Sequence, residues 1–190
     1  MRVYVVDNGG QWTHREWRVL KYLGVDTKVV PNTTPFEKLD VDALVLSGGS
    51  PSVSVEGDRM GRNGEYLDLA DFPILAICAG FQFMIDHYGG RVGAADRPEF
   101  GKTTLYVDEP NDIFSGLPRE FVVWESHNDE AKVLPDSFEL LAHSDNCSVE
   151  AVKVKGRPLY GLQFHPEVEN TEHGNEIFSN FLRVVEEWKR

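Results

Sequence analysis

Cys78 is the residue of this sequence best placed to act as a nucleophile. It lies between a short apolar run, Pro73–Ile77, which predicts a buried strand, and a helical pattern over residues 83–88. The small residues Ala76 and Gly80 stand two positions before and two positions after it. A sharp strand-to-helix turn of this kind exposes a reactive atom and leaves no room for neighbouring side chains. The helix dipole would also favour the thiolate, although the stretch taken alone is more typical of a buried structural cysteine.

His165 and Glu167 form a second group with chemical potential. Pro166 favours an extended backbone at His165, so the histidine and glutamate side chains should project from the same side of the chain. A carboxylate there can accept a hydrogen bond from one imidazole nitrogen and leave the other nitrogen to face a nucleophile. A His-Pro-Glu sequence alone more often ends a strand beside a surface glutamate. Its combination with the strand–cysteine–helix pattern favours a Cys78–His165–Glu167 triad.

A glycine-rich turn, Ser47-Gly48-Gly49-Ser50, follows the predicted strand Ala43–Leu46. Open α/β sheets bind their ligands at the carboxyl ends of such strands. Glycines let backbone N–H groups approach a reacting carbonyl and stabilise the negative charge that develops on its oxygen, although most Gly-Gly pairs are simply turns. No Gly-Lys-Ser/Thr follows, so this is not a phosphate-binding loop of the nucleotide-hydrolase type.

The elements that would position these residues alternate between strand and helix. Apolar runs and helical spacing predict strands at Val3–Asp7, Val25–Val30, Ala43–Leu46 and Pro73–Ile77, and helices at Trp12–Leu23, from Thr34, at Glu65–Ala70 and after Cys78. Residues 51–64 are polar and Gly-rich and predict a long loop. This alternation is typical of a mostly parallel, doubly wound α/β sheet flanked by helices, as in flavodoxin-like folds.

The alternation ends after Gly90. Shorter strand-like runs follow at Thr103–Val107, Phe121–Trp124 and Leu140–His143, and Val149–Val154 and Pro158–Phe164 predict an antiparallel hairpin. Residues 174–188 carry an apolar face at helical spacing, with Thr171 as a candidate start signal. With no repeat or linker in the chain, we expect one domain over residues 1–190.

Composition limits the classes of function. The chain has 190 residues, 41% of them hydrophobic, and a net charge of −12, which argues against a nucleic-acid partner because phosphate binding needs basic patches. It contains no apolar run long enough to predict a membrane span and no secretory pattern at its start. The two cysteines, Cys78 and Cys147, give no disulfide framework, so we expect a cytoplasmic protein. The histidines outside these motifs lack metal-like spacing, so no metal is expected.

These motifs together resemble the class I (triad-type) glutamine amidotransferases, and among them the branch that serves GMP synthetases. The resemblance extends over nearly the whole chain. It is carried by Asp7-Asn8-Gly9-Gly10-Gln11, Leu46-Ser47-Gly48-Gly49, Ile77-Cys78-Ala79-Gly80-Phe81-Gln82, Glu99-Phe100-Gly101, Trp124-Glu125-Ser126-His127-Asn128-Asp129 and Gly161-Leu162-Gln163-Phe164-His165-Pro166-Glu167-Val168.

The resemblance implies a glutaminase reaction. Cys78 would attack the side-chain amide of glutamine and form a γ-glutamyl thioester, while the N–H groups of Gly49 and Ala79 hold the oxyanion. His165 would protonate the departing ammonia and then activate the hydrolytic water, and Glu167 would orient it.

The resemblance also assigns the remaining contacts. Gln82 and the backbone at Ser126 and His127 would hold the amino-acid end of the substrate, and Asp129 is a candidate for coupling to a partner. That partner would be an ATP-pyrophosphatase subunit that carries ATP and Mg and converts xanthosine monophosphate (XMP) to GMP, so this chain itself would need no cofactor.

Three residues depart from the family pattern. Ala76 replaces a glycine and Phe81 a histidine around the nucleophile, and Ser50 is inserted before Pro51. Because serine is less rigid than proline, we expect weak glutaminase activity without the partner. Two alternatives stay open: the same chemistry feeding another synthase, such as that for anthranilate, or a flavodoxin-like binding module with an inert cysteine.

Overall fold

The computed structural model describes residues 1–190 and contains a single nine-stranded sheet with helices on both faces. In chain order the strands are β1 Val3–Asn8, β2 Val29–Pro31, β3 Ala43–Gly49, β4 Ile74–Ile77, β5 Arg91–Val107, β6 Glu120–Val133, β7 Phe138–His143, β8 Ala151–Val154 and β9 Leu159–Leu162. Across the sheet they lie in the order β2-β1-β3-β4-β9-β8-β7-β5-β6. The α-helices are α1 Thr13–Tyr22, α2 Val53–Glu56, α3 Asn63–Leu69, α4 Ala79–His87 and α5 Gly174–Trp188.

Strands β2, β1, β3, β4 and β9 form the parallel half of the sheet. Ile77, at the end of β4, pairs with Leu162 at the end of β9, and the N–H of Cys78 donates to the carbonyl of Leu162 at 2.7 Å. Parallel neighbours end at the same edge of a sheet. This pairing therefore brings the segment after Ile77 beside the segment after Leu162, although they are distant in sequence.

Strands β8, β7, β5 and β6 continue the same sheet with antiparallel pairing. The α/β fold class is confirmed, and the antiparallel part is larger than predicted. The long ribbon of β5 and β6 adds Arg91–Lys102 and Glu125–Val133, which were not predicted as strands. Much of β5 is exposed or only partly buried, so its sequence lacks the apolar alternation that identifies a half-buried strand.

Some local predictions were wrong. The segment 51–64, predicted as a long loop, contains α2, a 3₁₀ turn at Gly57–Met60 and the start of α3. The helix expected from Thr34 is only a 3₁₀ turn, Phe36–Lys38, and the second strand is limited to β2. Thr171 does not cap α5, because His173 precedes that helix with φ 59°.

The apolar core lies on both faces of the sheet. On one face α1 and α5 pack through side chains such as Leu20 and Phe178, and on the other α3 and α4 pack through side chains such as Leu67 and Met84. None of the helices combines the length and apolar character needed to cross a bilayer. The two covered faces leave the edge formed by the carboxyl ends of β3, β4 and β9 as the place where polar side chains converge.

Candidate active site

Cys78 occupies a strained turn between β4 and α4. Its backbone has φ 49° and ψ −106°, outside the usual regions for a residue with a side chain. A Cβ atom added to Gly80 would lie 2.6 Å from the carbonyl oxygen of Leu46, so only glycine fits where the helix starts against β3. The turn has the geometry of a nucleophile elbow, in which the sulfur projects from a crowded backbone.

His165 and Glu167 form a buried hydrogen-bonded pair beside this elbow. The imidazole Nδ1–H donates to Glu167 Oε1 at 2.6 Å, which leaves Nε2 free of any protein partner. The Thr171 hydroxyl donates to the backbone carbonyl of His165 at 2.6 Å, and the edge of Trp12 packs against the ring. The histidine is therefore held in one orientation with one nitrogen available for chemistry.

The cysteine and histidine side chains flank the same glycine. A Cβ atom added to Gly48 would lie 3.2 Å from His165 Cε1 and 3.5 Å from Cys78 Cβ. Burial opposes protonation of the imidazole, but the charges of Glu167 and of the Cys78 sulfur outweigh it and raise the pKa of His165 well above its usual value. The arrangement favours an imidazolium on His165 beside the Cys78 sulfur, and the thiolate is the nucleophilic form of a cysteine.

The triad lines an open cavity of about 460 Å³. Its walls carry no lysine or arginine to bind a phosphate. Gly49 and Ala79 both line it, and the N–H of Ala79 is at the first turn of α4, where backbone donors have no acceptor within the helix. The other lining residues are Gly9, Gly10, Gln11, Trp12, Thr13, Glu16, Gly48, Ser50, Pro51, Ser52, Gln82, Phe100, Ser126, His127, Asn128 and Asp129.

The predicted substrate contacts lie on the part of the cavity wall formed by α4 and β6. The Nε2 group of Gln82 donates to the backbone carbonyl of Asp129 at 2.9 Å and to Gln163 Oε1 at 3.0 Å. Its own carbonyl oxygen is thus the atom left for a ligand. The thiol of Cys78 donates to the carbonyl of Ser126 at 3.7 Å, which brings β6 against the nucleophile.

His127 lies behind this wall with both ring nitrogens occupied. Nδ1 donates to the carbonyl of Asp129 at 2.8 Å, and Nε2 lies 3.0 Å from Glu99 Oε2 and 3.2 Å from Glu125 Oε2. Burial lowers the pKa of His127, but its hydrogen bonds to Glu125 and Glu99 prevail and raise the pKa to about 11. A buried imidazolium therefore holds the strand segment that presents Ser126.

The same three side chains are the group in the protein most able to hold a metal ion. Donor atoms of Glu99, Glu125 and His127 lie within 4.8 Å of one another. With both nitrogens of His127 acting as donors, however, neither has a lone pair for a metal. In this arrangement the protonated ring of His127 lies beside the carboxylates of Glu99 and Glu125.

Asp129 fixes Ser52, the residue before α2, to the β5–β6 ribbon. Its Oδ2 accepts a hydrogen bond from the Ser52 hydroxyl at 2.7 Å, and its backbone carbonyl accepts from Gln82 and His127. The residue thus joins three parts of the cavity wall. Its suggested coupling to a partner stays a prediction.

Two of the departures from the family pattern are accommodated in the core. Phe81 is fully buried, and a Cβ atom at Gly161 would lie 2.5 Å from its ring, so the glycine on β9 makes space for the aromatic side chain. Ala76 is also fully buried and pairs with Gly161 across the sheet. The inserted Ser50 is exposed, and Pro51 packs against Gly49.

Sequence reasoning missed Glu16, which contributes a further carboxyl group to the catalytic cavity. It is 1% exposed, its Oε1 lies 3.5 Å from the N–H of Gly48, and its Oε2 has no partner. Burial, reinforced by the charge of Glu167, raises its pKa well above the usual value and so favours the protonated form. The available signal was its position four residues after Trp12, on the same face of α1.

Gln163 was also missed as a functional side chain. It is fully buried, and its Nε2 lies 3.7 Å from Cys78 Sγ. It lies inside the motif that ends at Glu167, but only the pairing of β4 with β9 brings it to the cysteine.

Comparison with known proteins agrees with this geometry. The family model "Glutamine amidotransferase class-I" matches residues 4–185. The chain is 53% identical over 190 residues to a glutamine-hydrolyzing GMP synthase subunit of Thermoplasma acidophilum, covering all of this chain and 95% of the relative. It is 52% identical to the protein of the same name from Thermoplasma volcanium, covering all of this chain and 94% of the relative.

Solved structures give the same result. The crystal structure of the Thermoplasma acidophilum homologue superimposes with a TM-score of 0.95 at 53% identity, covering 100% of this chain and 96% of that one. A glutamine amidotransferase from Thermotoga maritima has a TM-score of 0.76 at 17% identity, covering 98% and 83%, which supports the fold alone. The chain belongs to the class I glutamine amidotransferases.

Proposed function

We propose that this chain is the glutaminase subunit of a two-subunit GMP synthase. It hydrolyses glutamine to glutamate and ammonia, and the ammonia passes to an ATP-dependent synthetase subunit that converts XMP to GMP. The observation that carries the proposal is the convergence of Cys78 with the His165–Glu167 pair at the ends of β4 and β9. The two Thermoplasma relatives, both named for glutamine-hydrolyzing GMP synthase, support the specific branch.

The first half-reaction forms a thioester and releases ammonia. The Cys78 thiolate attacks the side-chain amide carbon of glutamine, and the carbonyl oxygen takes the negative charge, which the N–H groups of Gly49 and Ala79 stabilise. The protonated Nε2 of His165 gives its proton to the amide nitrogen as the carbon–nitrogen bond breaks. Ammonia leaves, and the γ-glutamyl group remains on the sulfur.

The second half-reaction regenerates the enzyme. The neutral His165 takes a proton from water, whose oxygen attacks the thioester carbon, and the carbon–sulfur bond breaks to give glutamate. Glu167 holds the ring through the 2.6 Å hydrogen bond, so the same nitrogen acts as acid and then as base.

The nucleotide chemistry belongs to the partner. The cavity lacks a lysine or arginine, and the sequence lacks a phosphate-binding loop, which supports binding of ATP, Mg and XMP on a separate ATP-pyrophosphatase subunit. The net charge of −12 suits a partner with a basic docking surface. We place the reaction in the cytoplasm, where thiols stay reduced.

Ammonia release from glutamine tests the enzymatic proposal. We expect Cys78→Ala to lose activity by at least about 10³-fold, whereas Cys147→Ala, which removes the other buried thiol, should keep wild-type kcat within about threefold. Equal activity in wild type and Cys78→Ala would overturn the proposal.

Addition of the candidate synthetase subunit tests whether this chain serves a GMP synthase. With ATP and XMP present, glutamine-dependent GMP formation should require both subunits, and glutamine hydrolysis should rise above the weak rate of the isolated chain. Equal glutaminase rates with and without the partner would refute the activation. Stimulation by a chorismate-type subunit in place of the synthetase would assign the chain to another synthase.

A further inference from the structure

A chain of side-chain amides connects the β5–β6 ribbon to the nucleophile. Gln82 donates from Nε2 to the carbonyl of Asp129 at 2.9 Å and to Gln163 Oε1 at 3.0 Å, and Gln163 donates from Nε2 to Cys78 Sγ at 3.7 Å. Gln163 is fully buried and Gln82 is 4% exposed. Neither amide is therefore free to exchange its partners for bulk water.

The direction of this chain is fixed by the protein. A backbone carbonyl can only accept hydrogen bonds, so Asp129 requires the NH₂ group of Gln82 on its side. That same NH₂ group then faces Gln163, which must present its oxygen to it. The two ends of a side-chain amide are chemically opposite. The NH₂ group of Gln163 is consequently the end directed at the sulfur.

We propose that Gln163 is a catalytic residue that donates a hydrogen bond to the Cys78 thiolate and is held in that orientation by Gln82 and the Asp129 carbonyl. This inference deepens the glutaminase mechanism proposed above and rests on it. Gln163 contacts the reacting sulfur atom itself, unlike Glu167, which acts through His165.

The N–H donor of Gln163 matters most once the Cys78 thiol has lost its proton. In the neutral form the thiol donates to the carbonyl of Ser126 at 3.7 Å. When that proton moves to His165, the Ser126 oxygen faces a negative sulfur with no hydrogen between them. The N–H of Gln163 then supplies a compensating donor, and hydrogen bonds to charged atoms are stronger than those to neutral ones.

The chain also passes through the substrate wall. Gln82 uses its NH₂ group within the protein and keeps its carbonyl oxygen for the substrate, while its partner Asp129 is held by Ser52 and His127. Displacement of the ribbon would therefore alter the orientation of Gln163. The sulfur is thus connected to the residues that bind the amino-acid end of glutamine.

Two substitutions at Gln163 separate its functions. Gln163→Met keeps an unbranched side chain of similar size and removes both the donor to the sulfur and the amide oxygen that accepts from Gln82. Gln163→Glu keeps an oxygen to accept from Gln82 and places a second oxygen, in place of the donor, against the sulfur. The other ionisable residues that line the cavity with Cys78 remain in both variants, namely Glu16, His127, Asp129, His165 and Glu167.

The measurement is the rate of alkylation of Cys78 by iodoacetamide between about pH 6 and about pH 9, with the modified peptide identified by mass spectrometry. In Gln163→Met we expect the midpoint of the pH profile to rise by about one pH unit, because a donor to the charged sulfur is lost. The plateau at high pH should not fall, since a less stabilised thiolate is at least as nucleophilic. Buried Cys147 serves as the internal control.

Steady-state kinetics supply the second readout. At neutral pH we expect kcat for glutamine hydrolysis to fall about tenfold in Gln163→Met, with KM changed by less than about threefold, and to fall further in Gln163→Glu. If Gln163→Glu does not fold, Gln163→Met decides the question alone.

An unchanged midpoint of the alkylation profile in Gln163→Met would overturn the proposal. A lower alkylation rate at high pH without a shift of the midpoint would also overturn it, because that result indicates that Gln163 only packs beside Cys78. Failure of the glutaminase function is distinguishable from this result. In that case wild type releases no ammonia from glutamine, whereas the alkylation profile still reports the contact between Gln163 and Cys78.

Discussion

The protein contains two buried histidine–glutamate pairs that differ in what the second ring nitrogen does. His165 donates to Glu167 and keeps Nε2 free beside Cys78. His127 donates from Nδ1 to the Asp129 carbonyl and from Nε2 to Glu99, with Glu125 Oε2 3.2 Å from Nε2. The same residue types thus make His165 a group that can exchange protons and His127 a fixed charge.

The carboxyl groups behind the two pairs extend the comparison. Glu16 lies near Glu167, and Glu150 lies near Glu125; burial and the neighbouring carboxylate raise the pKa of both well above the usual value. Burial thus favours the protonated form of the carboxyl group behind each pair. The difference between them lies in the contact with the cysteine and the open cavity.

The largest expected difference is between the two histidines. His165→Gln should lower kcat for glutamine hydrolysis by about 10³- to 10⁴-fold, because the general acid and base are lost together. His127→Gln should lower kcat by no more than about tenfold, since the triad remains. Ammonia release under saturating glutamine measures both, and equal losses would remove the distinction.

The carboxylate partners should differ in the same way, with a smaller effect. Glu167→Gln weakens the orientation and charge support of His165, and we expect kcat to fall by about 10²- to 10³-fold. Glu99→Gln leaves the catalytic pair intact and should change kcat by less than about fivefold. A Glu99→Gln variant as inactive as Glu167→Gln would mean that the ribbon cluster takes part directly in catalysis.

The protonation of His127 can be observed directly. With a pKa raised to about 11, the ring should remain doubly protonated at pH 9, which imidazole ¹⁵N chemical shifts measure. Because the pKa is raised on folding, the stability that the charge contributes is fully present below about pH 6.5 and is lost as the pH rises through 11. Deprotonation of this ring near neutral pH would contradict the assignment of a fixed charge.

A final effect, on stability rather than on kcat, concerns Glu16 behind the catalytic pair. The folded protein keeps a proton on Glu16 that the unfolded chain releases above its ordinary value of 4.5, so wild type loses stability as the pH rises above that value. Glu16→Gln removes this dependence and should become more stable relative to wild type by about 1.4 kcal/mol for each pH unit, until Glu16 ionises in the folded state. Urea unfolding of both proteins at pH 5 and at about pH 8 measures the difference; parallel changes would show that Glu16 is ionised throughout.

The parallel half of the fold was predictable because its strands are buried on both faces. The apolar runs at Val3–Asp7, Ala43–Leu46 and Pro73–Ile77 each correspond to a strand that contributes to the core. The cysteine after Ile77 and the His165–Glu167 motif after Leu162 could be combined in advance only from their residue types, because Pro158–Phe164 was predicted as a strand of an antiparallel hairpin. The sequence could not specify that β4 and β9 are neighbours, which the register establishes.

The antiparallel ribbon was much less predictable. The cluster of Glu99, Glu125 and His127 forms only because of the register of β5 against β6. Glu99 pairs with His127 after a bulge between Ala94 and Glu99. The i, i+2 spacing of Glu125 and His127 could have placed both on one face of a strand. Nothing in the local sequence of Arg91–Lys102 indicates the strand that completes the cluster, because so many of its residues are exposed.

The most direct test of the central claim is covalent labelling by a glutamine analogue that carries a chloromethyl ketone in place of the amide. The account predicts a single label on Cys78, prevented by excess glutamine and slowed strongly in His165→Gln but little in His127→Gln. Labelling of Cys147, labelling unaffected by glutamine, or equal rates in the two histidine variants would contradict it.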